Sequence, residues 1–178
     1  MSNKTLPPII PYTSMGVSGD ERSSAIDFVN RINFLFEEWD VPKLLSAFLP
    51  DVKLWHAEGV FDGQAELIKF FQDTYPPFIP GVHRQASNHI VDRDDETGGV
   101  LVRYHDYLYR YAWPDDAERN KGTVLQLKID TEGLPALWNG VTMIDRLVMT
   151  DNGWKLKERQ LGRLVVNKNL MPNAKSDK

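Results

Sequence analysis

Apolar residues recur at helical spacing along the first half of the chain and alternate with a period of two along the second. From Ser24 to Trp39 the positions Phe28, Ile32, Leu35 and Trp39 form one stripe, broadened by Ala25, Val29 and Phe36, which predicts a helix with one face turned to a core. Asp20 or Ser23 is placed to cap it. Asp40 is the N-cap expected for a second, short helix, with Pro42 in its first turn, Leu44, Leu45, Phe48 and Leu49 on its apolar side and Pro50 at its end. Val52 to His56 reads as a strand. Asp62 and Gly63 open a third helix whose Leu67, Ile68, Phe70 and Phe71 face the sheet, and the prolines at 76, 77 and 80 close it.

The strand pattern then takes over, with His83 to Val91, Val100 to Trp113, Thr123 to Ile129, Leu137 to Met149 and Trp154 to Val166 as its runs. Asp92 to Gly99 makes one turn, Pro114 to Gly122 a charged loop, and Asn152-Gly153 a hairpin. Three helices followed by strands predict an α+β fold with helices on one face of a curved antiparallel sheet. One domain is expected over residues 23–166, after an irregular arm (1–22) rich in proline and glycine and before a polar tail (167–178).

Composition narrows the functional classes. With 178 residues, 42% of them hydrophobic, the chain can build one good core but not two comfortable domains. A net charge of −4 without a basic block argues against nucleic acid as a partner. The absence of cysteine removes disulfides, thiolate nucleophiles and cysteine metal sites. No apolar run is long enough for a membrane span and the N-terminus lacks a signal pattern, so a cytoplasmic protein is the expectation.

Several local strings resemble a known family. Glu38-Trp39-Asp40 through Phe48-Leu49-Pro50-Asp51, then Gly59-Val60-Phe61-Asp62-Gly63 and Phe70-Phe71, resemble the opening of SnoaL-like members of the nuclear-transport-factor-2-like (NTF2-like) superfamily. Asp145-Arg146-Leu147-Val148-Met149 followed by Asp151-Asn152-Gly153-Trp154-Lys155-Leu156 resembles that family's closing hairpin. The resemblance spans roughly Ser24 to Val166. It implies a cone-shaped fold with a pocket between helices and sheet, and a homodimer. It leaves the reaction open, because the fold hosts dehydratases, isomerases, cyclases, epoxide hydrolases and non-catalytic binders. Against the scytalone dehydratase-like branch, His83 matches a histidine that positions water and substrate, and Glu37 falls near the helix-borne catalytic aspartate. Tyr111 stands where that branch has a second histidine, His56 where it has a tyrosine, and Val141 and Met143 where it offers serine and asparagine. These departures argue against the identical dehydration.

The residues themselves suggest acid–base chemistry. Alternation puts Leu101, Arg103, His105, Tyr107, Tyr109, Tyr111 and Trp113 on one face of the long strand, where hydroxyls, an imidazole and a guanidinium suit either a polar-lined pocket or an aromatic ladder at a subunit interface. His83 can carry a proton near neutral pH, a strand tyrosine can polarise a carbonyl, and Glu37 or His56 can assist. Glu37 sits beside Asn33 at the edge of the first helix's stripe, where partial burial would suit it to proton transfer; the alternatives are a solvated helix-end carboxylate for Glu37 and a structural role for His83. No close-spaced metal-ligand motif, phosphate loop or nucleophile elbow is present, so neither a metal nor a cofactor is expected. Epoxide opening ranks lower because the same-face neighbour of Arg103 is His105, not a carboxylate.

The sequence reading is therefore a cofactor-independent lyase or isomerase acting on a small oxygenated cyclic molecule, with natural-product biosynthesis as the expected setting. Its catalytic candidates are His83, Glu37, His56 and Tyr111. Its binding candidates are Tyr107, Tyr109, His105, Arg103, Trp113, Asn33 and Met143. The rival is a non-catalytic domain of the same fold that binds a small molecule or forms a dimer.

Overall fold

The computed structural model describes residues 8–12, 16–119 and 133–172. The strand expected at 123–129 and much of the N-terminal arm and C-terminal tail lie outside the described residues.

The first helix, α1 (Gly19–Glu38), begins earlier than the apolar spacing suggests, because its signal is a cap rather than a stripe. The Ser18 hydroxyl accepts from the Glu21 N–H at 3.1 Å, and the Glu21 carboxylate accepts from the Ser18 N–H at 2.9 Å. This reciprocal box satisfies two otherwise orphaned donors. Trp39, left-handed at φ 54°, ends the helix. Asp40 then caps α2 (Val41–Ser46) by accepting from the Lys43 N–H at 3.1 Å.

Phe48, Leu49 and Pro50, read above as the end of that helix, instead open β1 (Phe48–His56). A short β2 (Gly59–Asp62) hairpins back on β1, followed by α3 (Gln64–Asp73) and a 3-10 turn at Pro76–Phe78. The second half supplies β3 (Val82–Arg93), β4 (Val100–Arg110), β5 (Ala136–Thr150) and β6 (Gly153–Val166). Pro114–Arg119, expected as loop, forms a one-turn-and-a-half helix, α4, and Lys168–Leu170 a last 3-10 turn. No helix among the described residues is long and apolar enough to cross a membrane.

The six strands form one curved sheet in the order β2-β1-β6-β5-β4-β3. All pairings are antiparallel except β1 with β6, which is parallel. The buried line of α1, Ala25, Val29, Ile32 and Phe36, packs with Phe70 and Phe71 of α3 over Val102, Tyr104, Leu147 and Leu156 of the sheet. A smaller cluster, Val82, Leu108, Leu134, Trp138 and Leu170, closes the far end.

Two irregularities set what the helix-facing side of the sheet presents. In β3 the register slips between Ser87 and Ile90, where Asn88 takes φ 57°. Between β4 and β5, Leu108 pairs with Asn139 but Tyr109 with Leu137, so Trp138 is an extra, bulged residue of β5 whose side chain is buried in the second cluster.

Candidate active site

The face of β4 that meets the helices is the one carrying Tyr104, Asp106, Leu108 and Arg110, all buried. The expectation that Arg103, His105, Tyr107 and Tyr109 line the pocket is thereby corrected: the stripe of α1 packs on Val102 and Tyr104, which turns the odd-numbered residues to the opposite side. There Tyr107 lies over Gly140, its cross-strand partner, whose missing side chain makes room for the ring.

On the helix side, a cavity of about 160 Å³ lies between α1, α3 and the sheet. An apolar space of roughly 150 Å³ admits benzene, so this one fits a molecule of one or two rings. Its apolar walls are rich in aromatic rings: Phe36 from α1, Phe70 and Phe71 from α3, Tyr75 and Phe78 after it, and Trp138 from the bulge. Phe36 and Phe71 meet edge-on with centroids 5.6 Å apart, and Trp39 stacks on Tyr75 at 5.6 Å. Such pairs rigidify the wall.

Several polar groups enter this apolar space, among them Asp106, His56 and Arg159. Asp106 projects from β4 with only 6% of its surface exposed, and the Asn33 side-chain amide donates to it at 3.4 Å. Burial pushes its carboxyl up to about 6, against the pull of the Arg84 and Arg159 guanidinium groups. His56, at the end of β1, has its ring 5.1 Å from Phe70 and 5.9 Å from Tyr75. Its Nδ1 accepts from the Glu58 N–H at 3.2 Å, and burial pushes the imidazole down to about 4, so it is neutral with its proton on Nε2.

Arg159 of β6 reaches the cavity while bound to Asp145 of β5 by two hydrogen bonds, Nε to Oδ1 at 2.8 Å and Nη2 to Oδ2 at 2.7 Å. The Tyr104 hydroxyl donates to the same carboxylate at 3.0 Å and accepts from Arg159 Nη2 at 3.2 Å. Burial works against the charge on Arg159, and Asp145 more than offsets it. The bidentate geometry fixes a positive charge beside Asp106. A carboxylate–guanidinium–carboxylate set therefore exists, drawn from three strands rather than built around Arg103. Asp145 is fully buried with both oxygens engaged, so of the two acids only Asp106 faces the cavity.

The model of the SnoaL-like domain matches residues 20–160, most of the chain. The chain belongs to the SnoaL-like family. No curated protein matches it. Among solved structures, it resembles nuclear transport factor 2 from Cryptosporidium parvum, at 16% identity over 84% of this chain and 98% of that one, with a TM-score of 0.56. It also resembles ActVI-ORFA from Streptomyces coelicolor, at 11% identity over 78% and 94% of the two chains, with a TM-score of 0.59. A candidate scytalone dehydratase from Novosphingobium aromaticivorans is similar at 14% identity over 83% and 88%, with a TM-score of 0.56. At these identities the likeness speaks for the fold.

Within this SnoaL-like domain the residues singled out from sequence, Trp113 apart, fall into three groups. Asn33, His56 and Met143 line the cavity. Glu37, His83 and Tyr111 come together outside it, at the edge strand β3: His83 Nδ1 lies 2.8 Å from Glu37 Oε2, and the imidazole stacks on Tyr111 with centroids 4.1 Å apart. Glu37 Oε1 also accepts the free-edge N–H of Arg84 at 2.6 Å, which shields the open side of the sheet. The His83 side chain is 62% exposed and lines no part of the cavity.

Arg103, His105, Tyr107 and Tyr109 form the third group, on the opposite face of the sheet. Trp113 and Tyr111 lie past the end of β4 at Arg110, with the Arg110 guanidinium 5.6 Å from the Trp113 ring. His56 and His105 do not meet, because β6 and β5 separate their strands. Sequence reasoning missed Asp106, Arg84, Arg159, Tyr75 and Trp138, of which Asp106 had one available signal: a lone carboxylate opposite the tyrosine-rich face of a largely apolar strand.

Proposed function

We propose that this SnoaL-like domain is a cofactor-independent lyase or isomerase that moves a proton on a small, oxygenated molecule of one or two rings, with Asp106 as the proton carrier. The observation that carries the reading is a buried carboxyl, raised to about 6, at the wall of an aromatic cavity. Such a group is poised for both directions of transfer near neutral pH. As carboxylate, Asp106 takes a proton from a carbon next to a carbonyl, and the electron pair moves onto the carbonyl oxygen. As carboxylic acid, it returns the proton either to a leaving hydroxyl, which departs as water, or to a second carbon. Asn33 orients the carboxyl, Arg159 supplies the neighbouring fixed charge, and His56 offers its Nε2–H to a substrate oxygen. The engagement of Asp145 favours a single acting carboxyl over chemistry that needs two free ones. The ActVI-ORFA and candidate scytalone dehydratase likenesses accord with the reading at the level of fold.

The test is a panel of one- and two-ring hydroxyketones followed by NMR in deuterated buffer. Turnover or solvent-deuterium uptake by the wild type, lost in Asp106→Asn and retained in His83→Ala, is the expected result. Loss in His83→Ala with retention in Asp106→Asn would move the chemistry to the rim and sink the assignment.

A further inference from the structure

Arg84 enters the cavity wall from β3. Its guanidinium lies 5.1 Å from the centre of the Phe36 ring, and its Nη2 makes only a long 3.5 Å contact with the Tyr75 hydroxyl. Nη1 is buried without a hydrogen-bond partner. Among the described residues no carboxylate comes within ion-pair distance of it, whereas the other cavity arginine, Arg159, is paired at 2.7 Å with Asp145. Arg84 is half-buried and its charge also acts on Asp106, whose carboxyl it pulls down, but the buried Nη1 donor is left without a partner, and proteins keep such groups where something else completes them.

A second donor stands on the same level of the sheet. Arg84 pairs with Leu108, and Leu108 with Asn139, so the Arg84 side chain and the Trp138–Asn139 bulge flank Leu108 from its two sides. Trp138, 3% exposed, lines the cavity, and its Nε1–H has no partner among the described residues. The bulge creates this arrangement, because regular alternation would not let two successive β5 residues both border the cavity. Asp106 lies two residues back along β4 from Leu108, about 7 Å at the usual strand rise.

We propose that Arg84, with Trp138 opposite it, is the specificity-determining anion subsite of this cavity, so that the substrate is a one- or two-ring molecule bearing an acidic oxygen, a carboxylate or an ionised phenol or enol. The inference rests on the cavity being the active site and names what enters it. The acidic oxygen sits toward Arg84 and Trp138, with the ring between the aromatic walls and the reacting carbon toward Asp106. An arginine in an apolar wall holds a carboxylate or phenolate by charge-assisted hydrogen bonds, which a neutral amide or alcohol cannot match.

The experiment is calorimetric binding of matched probes to the full chain: benzoate against benzamide, naphthoate against naphthamide, and para-nitrophenol on either side of its ionisation. Anions are expected to bind at least about tenfold more tightly than their neutral partners. In Arg84→Met, which keeps an apolar stem over Phe36, that preference should vanish while benzamide binding stays. Arg84→Lys should restore part of it. Preference for the carboxylates alone assigns the subsite to a carboxylic acid, and preference for ionised para-nitrophenol as well assigns it to enolic or phenolic oxygens. Equal binding of anion and neutral isostere, or a preference that survives Arg84→Met, overturns the subsite and leaves the proton-transfer reading of Asp106 standing. No binding of any ring probe overturns both.

Discussion

Replacing Asp106 by asparagine should make the protein more stable at alkaline pH, even though it removes the group proposed to do the chemistry. In the folded chain the carboxyl titrates at about 6, against a reference value of 3.8. The folded state therefore holds this proton more tightly than the unfolded state. The associated stability is complete below about pH 4 and is lost as pH rises through about 6. At ~1.4 kcal/mol for each tenfold change in proton affinity, that rise sets a cost of about 3 kcal/mol for ionising Asp106 inside the fold. Asparagine does not ionise, has nearly the same shape, and its carbonyl oxygen still accepts from Asn33. The variant should gain up to about 3 kcal/mol over wild type near pH 8, or up to ~10 °C in melting temperature for a chain of this size. Near pH 4 the two proteins should be nearly equal. Urea unfolding at both pH values measures this, and the titration of His56, present in both proteins, cancels in the difference. A variant less stable than wild type near pH 8, or a difference that does not change with pH, would refute the reasoning.

Other consequences follow from the same contacts. Asp145→Ala strands the Arg159 guanidinium and the Tyr104 hydroxyl in the core, and should cost about 3–5 kcal/mol in urea unfolding. In the Asp106→Asn background, which lacks the opposing gain from Asp106, His56, held near 4 against a reference of 6.5, should make stability fall as pH drops through that interval, by up to about 3 kcal/mol. His56→Gln should flatten this acid limb in pH-dependent melting. Gly140→Val places a side chain where the Cβ alone would come 3.1 Å from the Tyr107 ring, and should cost about 1–3 kcal/mol. Adding Tyr107→Ala should recover much of that loss without changing ring-probe affinity, because this pair lies across the sheet from the cavity.

The architecture was readable because its signals are periodic and local. The stripe through Ala25, Val29, Ile32 and Phe36 names a helix face, and Asn152-Gly153 marks a hairpin that closes with Thr150 opposite Gly153. The site was less legible for reasons of register. Both faces of β4 mix aromatic and charged residues, so alternation alone cannot say which one faces α1. The choice is made by the packing of Val102 and Tyr104 beneath the helix, a contact between segments some seventy residues apart in the chain. Asp145 and Arg159 could have been paired across the hairpin, but a bulge between Arg146 and Leu147 shifts the register. Counting from the turn without it puts Asp145 opposite Glu158, a like-charge pair that hides the real one. Arg84 and Trp138 meet the same cavity only because of a second bulge, in β5. Glu37, His83 and Tyr111 lie together around the edge of β3 rather than around the cavity.

The proposed chemistry needs a carboxyl tuned for proton transfer in the aromatic cavity. Its most direct test is the titration of Asp106 in the wild-type protein, followed through its side-chain carbonyl carbon by NMR and assigned with Asp106→Asn. The expected midpoint is about 6, and it moves when a ring ligand occupies the cavity. A midpoint in the ordinary aspartate range near 4, indifferent to ligand, would contradict the proposed chemistry.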